Sequence, residues 1–303
     1  MLTVFFLHRV QIHTPNQQSS ARISVFCSVI YFNFLNILKI MSVVRPKKQL
    51  GQHFLKDQQI ALKIVAAFTD HFQGKLAIEI GPGTGVLTDH LIDRTDWDFL
   101  AMDVDRESVA YLHKQHPQSA DRIVLQDFLK APIAVENAPL GIIGNFPYNI
   151  SSQIFFKVYD HKDDVDLVVG MLQKEVAERI CEGPGSKVYG ILSVLLQAFY
   201  EVEYLFTVEP HVFEPPPKVR SAVIRLKRND RKALDCDARL FKRVVKASFQ
   251  TRRKTLRNCL KGLGLSAELL QQEVFSKRAE QLSVEEFVEL TRIIEKDVGN
   301  HSI

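Results

Sequence analysis

Cysteine is scarce in this chain and poorly placed for chemistry. Cys27, Cys181, Cys236 and Cys259 form no C-x-x-C pair, and no Cys/His cluster has zinc-ligand spacing. A zinc-held or disulfide-stapled fold is therefore excluded, and four free thiols in a reducing compartment are expected. No internal repeat and no low-complexity tract is present. Net charge is also small, at +4. Total charge thus gives no argument for a nucleic-acid partner; only its distribution could. What is there is ordinary globular material: 46% apolar and 24% charged residues over 303 positions, enough for a sizeable core in one large or two modest domains.

The first forty residues differ from the rest. Residues 23–40 read ISVFCSVIYFNFLNILKI, nearly all apolar and about long enough to span a bilayer. Arg9 and Arg22 precede the run, as in a signal anchor. No small-x-small cleavage site follows Ile40, which disfavours a signal peptide, and Asn33 and Asn36 interrupt the apolar run. Met41 opens a polar, basic stretch, MSVVRPKKQLGQHFLKD, that reads as a natural N-terminus. The favoured expectation is translation from Met41, with 1–40 a dispensable extension outside the functional fold and no membrane partner.

From Met41 onward, strand-like runs alternate with helix-like segments. KLAIEIG at 75–81, DFLAMDV at 98–104, 122–125, LGIIG at 140–144 and 166–172 are strand candidates. Helical spacing occupies 86–92, 106–116 and the stretch from Ser151. This alternation predicts βαβ units and a parallel sheet, with apolar runs marking strands buried on both faces. Residues 201–209 and 219–226 alternate polar and apolar and predict an antiparallel pair at a sheet edge. After about Asp230 the pattern is helical. The expected architecture is an α/β, Rossmann-like sheet with helices on both faces over 41–230, followed by a small all-α domain over 231–303.

The first long strand ends in Glu79-Ile80-Gly81-Pro82-Gly83-Thr84-Gly85. Such glycines permit a tight turn and close backbone approach by a ligand, at the carboxyl end of a parallel strand where open sheets bind ligands. Asp103 ends the next strand and can accept both hydroxyl protons of a ribose. The loop is G-x-G-x-G, not the dinucleotide G-x-G-x-x-G. Glu79 beside it would repel a pyrophosphate but suits a cation. A sulfonium nucleoside such as S-adenosyl-L-methionine fits these demands without a metal. Asp127, after the third strand, can accept from an adenine amino group or simply close a turn.

Asn145-Phe146-Pro147-Tyr148 follows the fourth strand. An adenine N6 is a poor nucleophile because its lone pair is delocalised into the ring. Two acceptors aimed at its hydrogens, the Asn145 side-chain oxygen and the Phe146 carbonyl, would favour a pyramidal nitrogen. Pro147 stiffens the backbone, and Tyr148 offers a stacking face. Catalysis would then be positioning for in-line attack. The loop Phe213-Glu214-Pro215-Pro216-Pro217-Lys218 can hold Phe213 opposite Tyr148 to sandwich a flipped base; a ring filling core beneath the prolines is the alternative.

Residues 241–261 (FKRVVKASFQTRRKTLRNCLK) hold eight Lys/Arg and no acid. At 100° per residue, Lys242, Lys246, Arg253 and Arg257 share one stripe, predicting an amphipathic helix with a cationic face for a polyanion. Lys218 and Arg220 extend that surface toward the candidate site.

Taken together, LGQHFL at 50–55, EIGPGTGVLT at 79–88, NFPY at 145–148, FEPPPKVRSA at 213–222 and FQTRRKTLRNCL at 249–260 resemble the ribosomal RNA adenine dimethyltransferases, specifically the bacterial small-subunit type, from Arg45 to Lys296. The resemblance implies transfer of methyl groups from S-adenosyl-L-methionine to N6 of two adjacent adenosines in a hairpin loop near the 3′ end of 16S rRNA, in the 30S subunit. It implies a cytoplasmic monomer, with cofactor contacts at His53, Leu55, Gly81, Gly83, Asp103, Asp127 and Asn145. It also places the segment before the first strand over the cofactor. Three positions depart from the commonest family pattern: His53 stands for asparagine, Asp103 for glutamate and Phe146 for leucine. A sister enzyme acting on 23S rRNA, a non-catalytic RNA-binding factor and a nicotinamide oxidoreductase are the competing readings.

Overall fold

The computed structural model describes residues 44–300 except 134, 135 and 137. The expectation for residues 1–40 therefore lies outside the described residues. Among the described residues no helix is long and apolar enough to cross a membrane.

A seven-stranded sheet organises the fold. Its strands are β2 (Leu76–Ile80), β3 (Asp98–Asp103), β4 (Ile123–Leu125), β5 (Leu140–Asn145), β6 (Val165–Gln173), β7 (Tyr200–Val208) and β9 (Ser221–Arg228), in the spatial order β4-β3-β2-β5-β6-β9-β7. Strands β4 to β6 pair in parallel, while β9 runs antiparallel to both neighbours. A two-stranded ladder, β1 (Phe54–Leu55) with β8 (Phe213–Glu214), stands apart from it. Each strand expected from the apolar runs is present, and the alternating segments form the β9–β7 edge.

Period-two burial explains the two faces. Leu76, Ile78 and Ile80 of β2 join one apolar cluster, and Ala77 joins the other. Helices α1 (Gln58–Thr69), α2 (Thr88–Leu91) and α3 (Arg106–Gln115) cover the second face. Asp57 caps α1 by accepting from the amides of Gln59 and Ile60. The stretch 86–92 yields only the four residues of α2. Helices α4 (Ser151–Asp160), α5 (Lys174–Cys181), α6 (Ile191–Gln197), α7 (Ala238–Ser248) and α9 (Val284–Asn300) cover the first face.

Residues 238–300 form α-helices and short 3₁₀ turns joined by loops. Their core residues Phe241, Val245, Phe275 and Phe287 belong to the same apolar cluster as the sheet's first face. The continuous basic helix expected over 241–261 is corrected: α7 stops at Ser248, residues 249–255 turn, and α8 covers only Leu256–Cys259. Distant partners cause the break. Arg252 donates to the carbonyls of Lys187 and Tyr189, and the Leu256 amide donates to Lys277 at 2.8 Å instead of continuing the helix. Consecutive like charges at 252–254 add no helical pairing to oppose this.

Candidate active site

The chain order reverses between β2 and β5, so a crevice opens at the carboxyl ends of these strands. A cleft of about 440 Å³ lies there, walled by Gly81, Gly83, Asp103, Asn145, Pro147 and Tyr148 and by residues 50–54. Gly81 and Gly83 have φ of 68° and 57°, a backbone region that side chains disfavour. At Gly83 a Cβ would also sit 2.9 Å from the Phe54 ring, so glycine lets the 50–54 strap lie close over the loop.

Asp103 ends β3 with its carboxylate on the cleft wall. It accepts from the amides of Gly83 at 3.2 Å and Asp105 at 2.8 Å. Burial nevertheless raises its carboxyl above the ordinary value. Lone pairs beyond those two bonds remain for donors such as ribose hydroxyls. Next to it, Asp105 anchors the strap by accepting from Lys47 at 2.6 Å and from Gln52 at 3.0 Å, and the pairing with Lys47 helps lower its carboxyl despite desolvation. A glycine cradle, a half-satisfied buried carboxylate and a strap above them fit a nucleoside carrying a short charged chain.

Asn145 ends β5. Its Nδ2 donates to the His53 carbonyl at 2.8 Å, across from β5 on the strap. A carbonyl only accepts, so the amide orientation is fixed and Oδ1 is left for a ligand. Phe146 lines the cleft through its backbone, since its ring is buried against Phe155 and fills the space left by Gly170, where a Cβ would lie 2.2 Å from that ring. The Phe146 amide is held by the Met171 carbonyl at 2.9 Å.

A second cavity of about 890 Å³ adjoins the cleft and shares Gly51, Gln52, His53 and Tyr148 with it. Its far wall is Pro215–Val219 and includes Lys218. The His53 ring lies 5.3 Å from that of Tyr148, tilted by 31°, and its Nδ1 donates to the Pro215 carbonyl at 2.8 Å. The Tyr148 hydroxyl meets Ser221 at 2.5 Å, and burial raises its phenol above the ordinary value.

Four expectations are placed elsewhere. Phe213 is corrected: it is 1% exposed, pairs with Leu55 in the β1–β8 ladder and packs in the second apolar cluster, so it offers Tyr148 no opposing face. Strand pairing turned the ring inward; His53 is the ring beside Tyr148. Leu55 is likewise buried and off the cleft wall. Asp127 is off that wall too, its Oδ1 accepting from the Leu129 amide at 2.9 Å. Glu79 is buried, 1% exposed and off the cleft wall, and accepts from the Thr88 hydroxyl at 2.7 Å.

Desolvation pushes the Glu79 carboxyl from an ordinary 4.5 up to about 8. Between those values the folded chain holds a proton that the unfolded chain releases. The resulting stability, fully present below the lower value, is lost as pH rises through about 8. Glu79→Gln removes this dependence. Calorimetric melting of the ligand-free protein from pH 5 to pH 9 should fall more steeply for the unaltered chain than for the glutamine variant; parallel curves would contradict a protonated Glu79.

The basic residues fall into two groups. Lys242 pairs with Asp160 and lies 5.4 Å over the Tyr159 ring, and Lys246 lies 5.5 Å over Phe156, both against α4. Arg253 stands in the exposed turn, while Arg257 donates to the Leu270 carbonyl at 2.8 Å. Lys218 and Arg220 are exposed beside the second cavity, Arg220 being 3.9 Å from Glu209. Residues 50–54, Asp105 and Ser221 carry contacts to which composition and spacing assigned no role, although the motifs at 50–55 and 213–222 contain all but Asp105.

The model of the family described as "Ribosomal RNA adenine dimethylase" matches residues 43–296. A "Ribosomal RNA small subunit methyltransferase A" of Parabacteroides distasonis is 57% identical over 258 residues, covering 84% of this chain and 96% of that one. Its namesake in Bacteroides thetaiotaomicron is 55% identical over 259 residues, with the same coverage of 84% and 96%. Among solved structures, a dimethyladenosine transferase from Plasmodium falciparum superposes with a TM-score of 0.69 at 23% identity, over 81% of this chain and 98% of that one. The 23S rRNA methyltransferase ErmE gives a TM-score of 0.59 at 23% identity, over 79% and 99%. These two likenesses establish the sheet order and its covering helices as a methyltransferase fold. The motifs, the cleft at the switch point and a family match over residues 43–296 lead to one statement: this chain belongs to the ribosomal RNA adenine dimethylase family.

Proposed function

We propose that the chain transfers methyl groups from S-adenosyl-L-methionine to N6 of two adjacent adenosines in the hairpin loop near the 3′ end of 16S rRNA, within the 30S particle. It would act as a cytoplasmic monomer. The observation that carries this reading is the fixed amide of Asn145, with its acceptor oxygen left for a ligand in the smaller cleft that adjoins the second cavity. The smaller cleft suits the methyl donor and the larger one a base.

S-adenosyl-L-methionine supplies an activated methyl group when bound. Asp103 would accept from its ribose, and the Gly81 and Gly83 backbone would lie against its chain. Asp127, from the loop after β4, would reach the adenine amino group through the carboxylate oxygen not committed to its turn. Asn145 Oδ1 and the Phe146 carbonyl would accept from the two N6 hydrogens, turning the nitrogen lone pair toward the methyl carbon. Tyr148 would stack on the extruded base, with His53 beside it. The methyl donor's positive charge is lost on transfer and a proton leaves N6, so charge balances without an ionised side chain at the nitrogen.

Residues 231–303 we read as the RNA-docking part, where Arg253, together with Lys218 and Arg220 beside the second cavity, would meet phosphate, which positions RNA without reading its sequence. Lys242, Lys246 and Arg257 would approach it only from within their existing contacts. The test of the function is transfer of labelled methyl to undermethylated 30S particles and to free 23S rRNA. Dimethyladenosine in 16S rRNA alone is expected; label in 23S rRNA would favour the sister activity.

Arg253→Ala combined with Lys254→Ala should weaken RNA binding and flatten its salt dependence, because both residues are exposed in the turn after α7. Each lost phosphate contact lowers the log–log slope by roughly 0.7 to 0.9. Titrations from low to high salt with an unaltered slope would show that the turn faces away from RNA.

A further inference from the structure

The parallel strands deliver their carboxyl ends to the cleft, but β9 is reversed, so its first residue arrives at that same edge. This residue is Ser221, opposite Gln173 at the end of β6 and Val208 at the end of β7. Its side chain is fully buried, and its hydroxyl is 2.5 Å from that of Tyr148. The same segment, six residues earlier, fixes the His53 ring through the Pro215 carbonyl. Two rings that border both cavities are thus held at their polar atoms by one stretch of chain, 215–221.

We propose that Ser221 is a positioning residue for methyl transfer: its hydroxyl anchors the tip of the Tyr148 ring and so sets the plane on which the target base stacks. The inference rests on the reading that Tyr148 receives an adenine. An aromatic side chain is free to turn about two bonds, and backbone rigidity at Pro147 does not restrain its outer end. The β9 hydroxyl does, 2.5 Å from the phenol oxygen. Phe213, the ring just before that segment, is buried and unable to help. Ser221 lines neither cavity itself, so its influence on a base must pass through Tyr148.

The test is a double-mutant cycle in the full chain, with single-turnover methylation of 30S particles and calorimetric cofactor affinity as readouts. Ser221→Ala and Tyr148→Phe each remove one end of the same hydrogen bond. Each should slow transfer on the order of fivefold, the effect of one net hydrogen bond, with cofactor affinity unchanged. The double variant should be no slower than either single one. A merely structural serine would not give this non-additivity with a phenol on another element. Multiplicative losses, or an unaltered rate in either single variant, would overturn the proposal. Tyr148→Phe leaves the buried strand untouched and so decides the matter if Ser221→Ala folds poorly. If the unaltered chain transfers no methyl to 30S particles, the functional reading fails, and this inference with it, before any variant is compared.

Discussion

Asn145→Ala should leave a folded protein that transfers methyl groups at least a hundredfold more slowly. The nitrogen to be methylated needs acceptors for both of its hydrogens, and Asn145 carries the only side-chain acceptor of the tetrapeptide that is not already bonded within the protein. Its Oδ1 is free because Nδ2 is committed to the His53 carbonyl. An oriented hydrogen bond of this kind in a preorganised site contributes about 3 kcal/mol to the transition state, or a hundredfold and more in rate. Loss of the Nδ2 bond also loosens the strap, so cofactor affinity should fall modestly. Rapid-quench single-turnover methylation at saturating cofactor separates the two effects. A variant rate within a few-fold of the unaltered chain would remove Asn145 from the chemistry while leaving the family assignment untouched.

The second large effect is expected at Asp103. Replacement by alanine removes an acceptor that is buried at the cleft wall and already holds the Gly83 and Asp105 amides. Loss of a charged hydrogen bond to a ligand costs roughly 1.5–3 kcal/mol, about ten- to a hundredfold in cofactor affinity. RNA affinity should change far less. Burial raises this carboxyl, so acidification should weaken cofactor binding at a higher pH than an exposed carboxylate would. The dependence should vanish in Asp103→Asn. Calorimetry with S-adenosylhomocysteine across pH 4.5 to 8 measures both. An affinity unaffected by the alanine change would place the ribose elsewhere.

What the sequence made legible follows from which interactions are local. Apolar runs such as those ending at Ile80 and Asn145 marked buried strands because both faces of a parallel sheet are covered. The glycines at 81 and 83, Asp103 and Asn145 converge because strand ends at a switch point converge, a topological consequence requiring no side-chain detail. The errors arise where a contact spans many residues. Helical geometry at 241–261 could not anticipate Arg252 reaching carbonyls at 187 and 189, which bends the chain and disperses the cationic stripe. Phe213 turned inward because β8 pairs with a two-residue strand 159 positions earlier, at Phe54–Leu55. Glu79 shows that an acidic residue near a ligand loop can be consumed by a local hydroxyl. His53 was marked by its motif, but its ring contact and its grip on Asn145 needed the strap in place.

The bond between the Asn145 amide and the His53 carbonyl restricts which side chains the position tolerates. The two halves of the amide have opposite polarities: the nitrogen gives a proton to the strap, and in the proposed reaction the oxygen receives one from the base. Aspartate has nearly the same shape, yet when ionised it presents acceptors on both sides and would set an oxygen against an oxygen at 2.8 Å from the strap. Histidine and serine supply both polarities at a different reach, and glutamine pushes them one carbon further into the cleft. Isosteric replacement, ordinarily the gentlest change available, is at this position a reversal of one of two electrostatic contacts. Folding selects one end of the group and chemistry the other, so neither requirement can be relaxed without violating its counterpart.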